Sequence, residues 1–145
     1  MTPISKRQTI CDGIVVVRKE AGQCLYLLLK VYNYIEPPKG HVLKGESDLD
    51  AAYRETSEES GITKDELDFK WGQDYYETEQ YGRENKVARF FLAETTQDKV
   101  VMSVNPDLGK PEHTSYYWVT YEQASKMVGA RIQKVLDWAH NKIGE

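Results

Sequence analysis

Cysteine is scarce in this chain. Cys11 and Cys24 are its two thiols in 145 residues, too few for a disulfide framework and suited to a reducing compartment. Long apolar runs are missing as well. The longest, residues 14–17 and 25–29, fall far short of the ~20 residues that a membrane-spanning helix needs. The N-terminal MTPISKRQTI carries basic residues but no apolar segment of signal-peptide length. A soluble, cytoplasmic protein is the expectation. There is no basic surplus either. Lys and Arg number 19 against 23 Asp and Glu, a formal net charge of −4. That balance argues against a nucleic-acid coat and, on its face, against any polyanionic ligand. Internal repeats and low-complexity tracts are absent.

What is present is an ordinary globular composition, 40% hydrophobic and 29% charged. The length predicts one domain over residues 1–145 with a core that needs no staples. Residues 9–18 are β-branched and apolar, which predicts a buried strand. A turn at residues 20–23 leads to a second strand over 24–31, so the two should form a hairpin. Residues 32–45, with Pro37, Pro38, Gly40 and Gly45, read as a loop. A helix is predicted over 47–60, capped by Ser47 or Asp48 and stopped by Gly61. Its apolar stripe is Leu49, Ala52 and Tyr53. Alternation of Leu67, Phe69 and Trp71 predicts a strand over 64–74. Residues 75–78 and 86–94 should pair around a loop at 81–84, and residues 95–109 read as irregular. A short strand is expected at 116–120. Thr120 and Gln123 form a capping-box signature for a helix over 121–128. A final amphipathic helix over 131–143 places Ile132, Val135, Leu136 and Ala139 on one face. The fold class is α/β (α+β), a layered domain with a mixed sheet.

The segment richest in chemistry reads GHVLKGESDLDAAYRETSEESGI, residues 40–62. On a helix Glu55, Glu58 and Glu59 fall at i, i+3 and i+4 and share one face. Three like charges repel, and a simple surface helix gains nothing from them. A divalent cation among them removes the repulsion, and carboxylate oxygens suit Mg²⁺, Mn²⁺ or Ca²⁺. Arg54 lies four residues before Glu58. The turn over 37–45 leads into the helix, where free backbone groups can add metal or phosphate contacts.

The spacing sharpens this. Gly40, five residues, Glu46, seven residues, Arg54-Glu55, two residues, Glu58-Glu59, one residue, Gly61 and then Ile62 resembles the Nudix box. At roughly 6–7% per position, seven fixed matches arise by chance in about one chain per million. The resemblance implies a mixed sheet sandwiched between helices. It also implies Mg²⁺- or Mn²⁺-dependent hydrolysis of a nucleoside diphosphate linked to another group. On that pattern Glu55 and Glu59 are the main metal ligands, Glu58 a further ligand or the general base, and Gly40 a carbonyl ligand. Arg54 pairs with Glu46, a structural support, and holds Glu55. Such ions neutralise a polyphosphate and acidify bound water, and a carboxylate takes the proton. Thr56 stands where the family usually has an aliphatic residue, so a packing effect is expected there.

Around the box, Pro37-Pro38-Lys39-Gly40-His41, Arg89-Phe90-Phe91-Leu92-Ala93 and the run 112–118, EHTSYYW, resemble the animal-type asymmetrical diadenosine tetraphosphate hydrolases within that family. This implies a dinucleoside polyphosphate substrate, with diadenosine tetraphosphate split to ATP and AMP. The partners are then small molecules, with no membrane and no nucleic acid, and the protein acts as a monomer. Glu112 would be an added metal ligand or base. Lys39, His41 and Lys86 would contact phosphates, and Tyr81 or Tyr76 would stack on adenine. Five positions depart from that subgroup: Tyr34 and Ile35 for His and Trp, Phe90 for a tyrosine, Pro111 for a His, and the region of Ala130 for an aromatic. They leave open a different nucleotide or a capped RNA 5′ end as substrate. The charge itself is localised. Residues 46–59 carry a net −5 and the rest of the chain a net +1, so the acidity sits in the helix assigned to the metal.

Overall fold

The computed structural model describes residues 9–82, 85–102, 104–105, 110–111 and 115–144. Strand β1 (Thr9–Glu20) runs through the middle of the sheet and is buried on both faces over most of its length. It turns at Ala21 and Gly22, both at positive φ, into the antiparallel β2 (Gln23–Val31). On its other edge it pairs in parallel with β6 (Lys86–Glu94), Thr9 beside Lys86 through Val17 beside Glu94. The sheet is therefore mixed. Its strand path is β3-β2-β1-β6-β5, with β3 at Tyr34–Glu36 and β5 at Tyr76–Glu77. Strand β9 (Ser115–Val119) adds to β2, and β4 (Lys39–His41) adds to β1.

Because side chains alternate along a strand, β1 feeds two cores. Ile14 and Val16 pack with Leu27, Leu29, Phe91 and with Ala52 of α1 (Asp48–Ser60). Val15 and Val17 pack with Tyr26, Leu28 and Phe90 on the other side. There they meet Ala124 of α2 (Tyr121–Ser125) and Ile132, Val135, Leu136 and Ala139 of α3 (Ala130–Ile143). Each fully buried Val, Leu or Ile among them contributes roughly 1.5–3 kcal/mol. The sheet is thus sandwiched between helices, and the four residues expected on the inner face of the last helix are all buried.

Several expectations are corrected. The loop over 32–45 contains β3 and β4, which dock on β2 and β1. Residues 64–74 form no strand. Lys64–Glu66 is a single 3₁₀ turn, and the Glu66 carboxylate accepts from the Thr63 N–H at 3.0 Å. Within this segment only Asp68 bridges to the sheet, at Glu94. The apolar alternation there serves docking without a ladder: Leu67 and Phe69 pack against the α1-side core and Trp71 against the other. Residues 95–109 are not wholly irregular, since β7 (Val104–Asn105) pairs with β8 (Lys110–Pro111). The helix predicted over 121–128 stops at Ser125, although its capping box is formed. Thr56 is fully buried, as its expected role in packing requires. Among the described residues, no helix is long and apolar enough to cross a membrane.

Candidate active site

Helix α1 starts where Ser47 accepts a hydrogen bond from Asp50 N–H, and ends at Gly61, whose φ of 78° is the left-handed cap. Between these stops the helix lays its acidic face over β4. Strand β4 reaches that position only because of Gly13 on β1. A Cβ there would collide with the Pro38 carbonyl and Lys39. Antiparallel pairing then sets Lys39, Gly40 and His41 beside Gly13, Asp12 and Cys11. A Cβ on Gly40 would strike all three atoms of the Glu55 carboxyl group, so Glu55 sits directly on that backbone. One turn on, Glu59 Oε1 accepts from the Lys39 N–H at 2.9 Å.

Arg54 ties the cluster together. Its Nε and Nη2 donate to the two Glu46 oxygens at 2.8 and 3.1 Å, a bidentate fork. Nη1 reaches Glu55 at 2.7 Å and Glu58 at 3.3 Å, and Nη2 also donates to the His41 carbonyl at 2.9 Å. Glu46 in turn accepts from Leu43 N–H at 3.0 Å, which folds the loop before the helix. The Glu46 pKa is lowered by the Arg54 bond and then by the Leu43 bond, and the Arg54 pKa is raised, first by Glu46. Glu55 is raised above the ordinary carboxylate value by burial, against the opposing pull of Arg54.

A groove opens beside this cluster. One cavity of it, about 380 Å³, is lined by Glu55, Glu59, Gly40, His41, Lys39 and Lys86, with Glu36 and Cys11 among its further walls. Six of the predicted residues therefore share one space. A second cavity, about 460 Å³, has Lys39, Lys86 and Glu36 in common with it and adds Tyr34, Tyr81, Gly82 and Arg131. Tyr81 and Lys86 face each other across the β5–β6 connection through paired backbone bonds of 2.9 and 3.1 Å. Tyr76 sits elsewhere, its ring 6.0 Å from Trp138 on the α3 side. Glu58 is at the rim, with its side chain 57% exposed. Glu112 lies outside the described residues.

Among the described residues, no three His, Cys, Asp or Glu side chains already converge on a metal position. Arg54 draws Glu55 and Glu58, and Lys39 N–H draws Glu59. The donor set nevertheless fits a hard cation. Carboxylate oxygens of Glu55 and Glu59 lie against the β4 backbone at Gly40 and Lys39, and oxygen donors are what such an ion takes.

Sequence reasoning missed three residues. Glu36, 9% exposed, accepts an ion pair from Lys39 Nζ at 3.2 Å and from Arg131 Nη2 at 3.5 Å. Burial alone would depress the Lys39 pKa. The Glu36 carboxylate, with Tyr81 and Cys11 beside it, more than offsets this and raises it. Arg131 lies over the Tyr81 ring at 3.7 Å, and nothing in the first turn of an amphipathic helix signals that contact. Asp12 is fully buried on the α1 face of β1. A lone carboxylate inside the apolar run 9–18 was a visible signal. Its neighbour Asp48 is ion-paired to Arg89 at 3.1 Å, and Arg89 also holds Glu77 at 2.8 Å.

A mixed sheet sandwiched between helices, with a glutamate-bearing helix laid over a glycine strand, is a Nudix architecture, and the chain belongs to the Nudix family: the NUDIX domain model matches residues 9–139. Within it, the chain is 36% identical over 121 residues to the asymmetrical bis(5′-nucleosyl)-tetraphosphatase of Caenorhabditis elegans, covering 79% of this chain and 81% of that protein. The Sus scrofa protein of the same name is 33% identical over 118 residues, covering 77% and 74%. A binary complex of C. elegans Ap4A hydrolase superimposes with a TM-score of 0.76 at 31% identity, covering 94% of this chain and 99% of that one.

Proposed function

We propose that this chain hydrolyses diadenosine tetraphosphate to ATP and AMP by in-line attack of water on a phosphorus atom. The observation that carries the reading is the groove itself. The acidic face of α1 forms one wall and Lys39 and Lys86 line the same space, at the end of a chain of resemblance to the tetraphosphatases of two animals. Glu55, Glu58 and Glu59, with the Gly40 carbonyl, would hold Mg²⁺ or Mn²⁺, which when bound neutralises phosphate charge and lowers the pKa of bound water. Arg54 keeps Glu55 over Gly40 and Glu46 under the loop. Lys39, His41 and Lys86 receive the phosphate chain. A box glutamate free of metal takes the proton of the attacking water, and Glu112 is the further carboxylate candidate for ligand or base. Tyr81 meets a base. The free thiols Cys11 and Cys24 suit a cytoplasmic protein, read here as a monomer.

The test is product analysis in ¹⁸O water with Mg²⁺. ATP and AMP in equal amounts, with label in one of them, support the reading and identify the phosphorus attacked. Glu59→Gln should lower the rate by about 10²–10⁴-fold. A protein that leaves diadenosine tetraphosphate intact yet cleaves another nucleotide or a capped RNA 5′ end has a different substrate.

A further inference from the structure

We propose that Glu36 is a built-in counter-ion that competes with the phosphate chain for Lys39 and so sets how tightly polyphosphates are held. The proposal rests on the reading of Lys39 as a phosphate contact. Glu36 ends β3 and lines both cavities of the groove, as Lys39 and Lys86 do. A phosphate chain that reaches either lysine therefore lies beside a carboxylate. The Glu36 side chain is 11% exposed and that of Lys39 15%, with 3.2 Å between Oε1 and Nζ. Charges so far out of water act on one another strongly. A phosphate oxygen and the Glu36 carboxylate contend for one ammonium and repel each other while they do.

Lys39 is fixed by other means. Its backbone pairs with Gly13 of β1, and its N–H donates to Glu59. Its ammonium lies 5.7 Å from the centroid of the Tyr81 ring. Removing the Glu36 charge thus frees the ammonium without displacing the strand that carries it. The exchange does not strand Glu36 either. Its other oxygen, Oε2, lies 3.5 Å from Arg131 Nη2, so the carboxylate keeps a cation when Lys39 turns to phosphate. A buried carboxylate that lost every partner would be strongly destabilising. The arrangement is a handover, with Arg131 holding what Lys39 lets go. It weakens substrate and product alike. Uniform binding lowers KM without raising kcat, so loosening it leaves the chemical step intact and favours release.

The experiment titrates inorganic tripolyphosphate and adenosine calorimetrically into wild type, Glu36→Gln and Glu36→Asp, in EDTA so that the chain stays uncleaved. Glu36→Gln should bind tripolyphosphate about tenfold more tightly, the worth of one charged hydrogen bond, and leave adenosine unchanged. Glu36→Asp draws the carboxylate back by one methylene and should tighten tripolyphosphate less. It also decides the matter if Glu36→Gln does not fold. A structural role for Glu36 predicts the opposite sign. Looser tripolyphosphate, no change, or no binding by wild type and variants alike overturns the proposal. Lys39→Met completes a double-mutant cycle. In its background the gain from Glu36→Gln should shrink to about twofold, whereas an undiminished gain gives Glu36 a general field and overturns competition for Lys39. If wild type leaves diadenosine tetraphosphate intact with Mg²⁺, the proposed function fails, and the tripolyphosphate titrations still decide the role of Glu36.

Discussion

The Glu55 carboxyl group fills the space that any side chain on Gly40 would occupy. The glycine is needed there for room, since its φ is not positive. Gly40→Ala must therefore push Glu55 off β4 or lift β4 from α1. Displacement of about 1 Å at a reacting centre costs on the order of 10²-fold in rate. Steady-state kinetics should show that loss in kcat, with the protein still folded by circular dichroism. Near wild-type kcat would mean that the contact of Glu55 with Gly40 does not matter to the chemistry.

Arg54 donates to four residues at once. A lysine keeps the charge and loses the fork that grips Glu46. We expect Arg54→Lys to lower kcat at least tenfold. The melting temperature should stay within a few degrees of wild type, because partly exposed ion pairs add little stability. Unchanged activity in this variant would assign the positioning of Glu55 to some other group.

Asp12 supplies the pH prediction. Burial first, and then the Asp48 carboxylate nearby, push its pKa up to about 8, while Arg89 pulls the other way. In the unfolded chain an aspartate titrates near ~3.9. Between these values the folded protein holds a proton that the unfolded chain has released. Stability from this group is complete below about pH 4 and declines as pH rises toward 8. Thermal melts of Asp12→Asn and wild type should agree most closely near pH 5, and the variant should gain on wild type at pH 8.5. A gap that is the same at both pH values rejects this assignment.

Thr56 faces the core with its hydroxyl buried and without a hydrogen-bond partner. Thr56→Val removes an unpaired polar atom at similar volume. It should stabilise by about 1 kcal/mol, or roughly 2–4 °C in melting temperature, with kcat unchanged. A lower melting temperature would show that the hydroxyl is satisfied in solution.

Much of this was readable from residue patterns. The helix over the box, its cap at Ser47 and stop at Gly61, the β1–β2 hairpin and the inner face of α3 follow from periodicity and punctuation, which are local. The short strands β3 and β4 were hidden because three residues carry no period, and their partners lie elsewhere in the chain. Residues 64–74 misled for the opposite reason: alternation reports burial of every second side chain, and a docked loop produces it without a ladder. Within the site, Glu55, Glu59, Gly40 and their neighbours were visible as a spaced motif. Glu36 and Arg131 were not, because their pairing joins residues 95 positions apart and leaves no trace in either local sequence.

Strand β1 has one further consequence. Its partner on one edge is β6, and the two run parallel, so everything between them, including α1, belongs to a single long crossover. During synthesis the whole acidic helix leaves the ribosome before the strand that flanks its sheet exists. Until residue 94 has emerged, the β6 edge of β1 stands open and the apolar side of α1 has only half a floor. Non-local pairing of this kind is slow and leaves sticky intermediates. The waiting segment over residues 46–59 carries a net −5, and like charge of that size favours solubility over association.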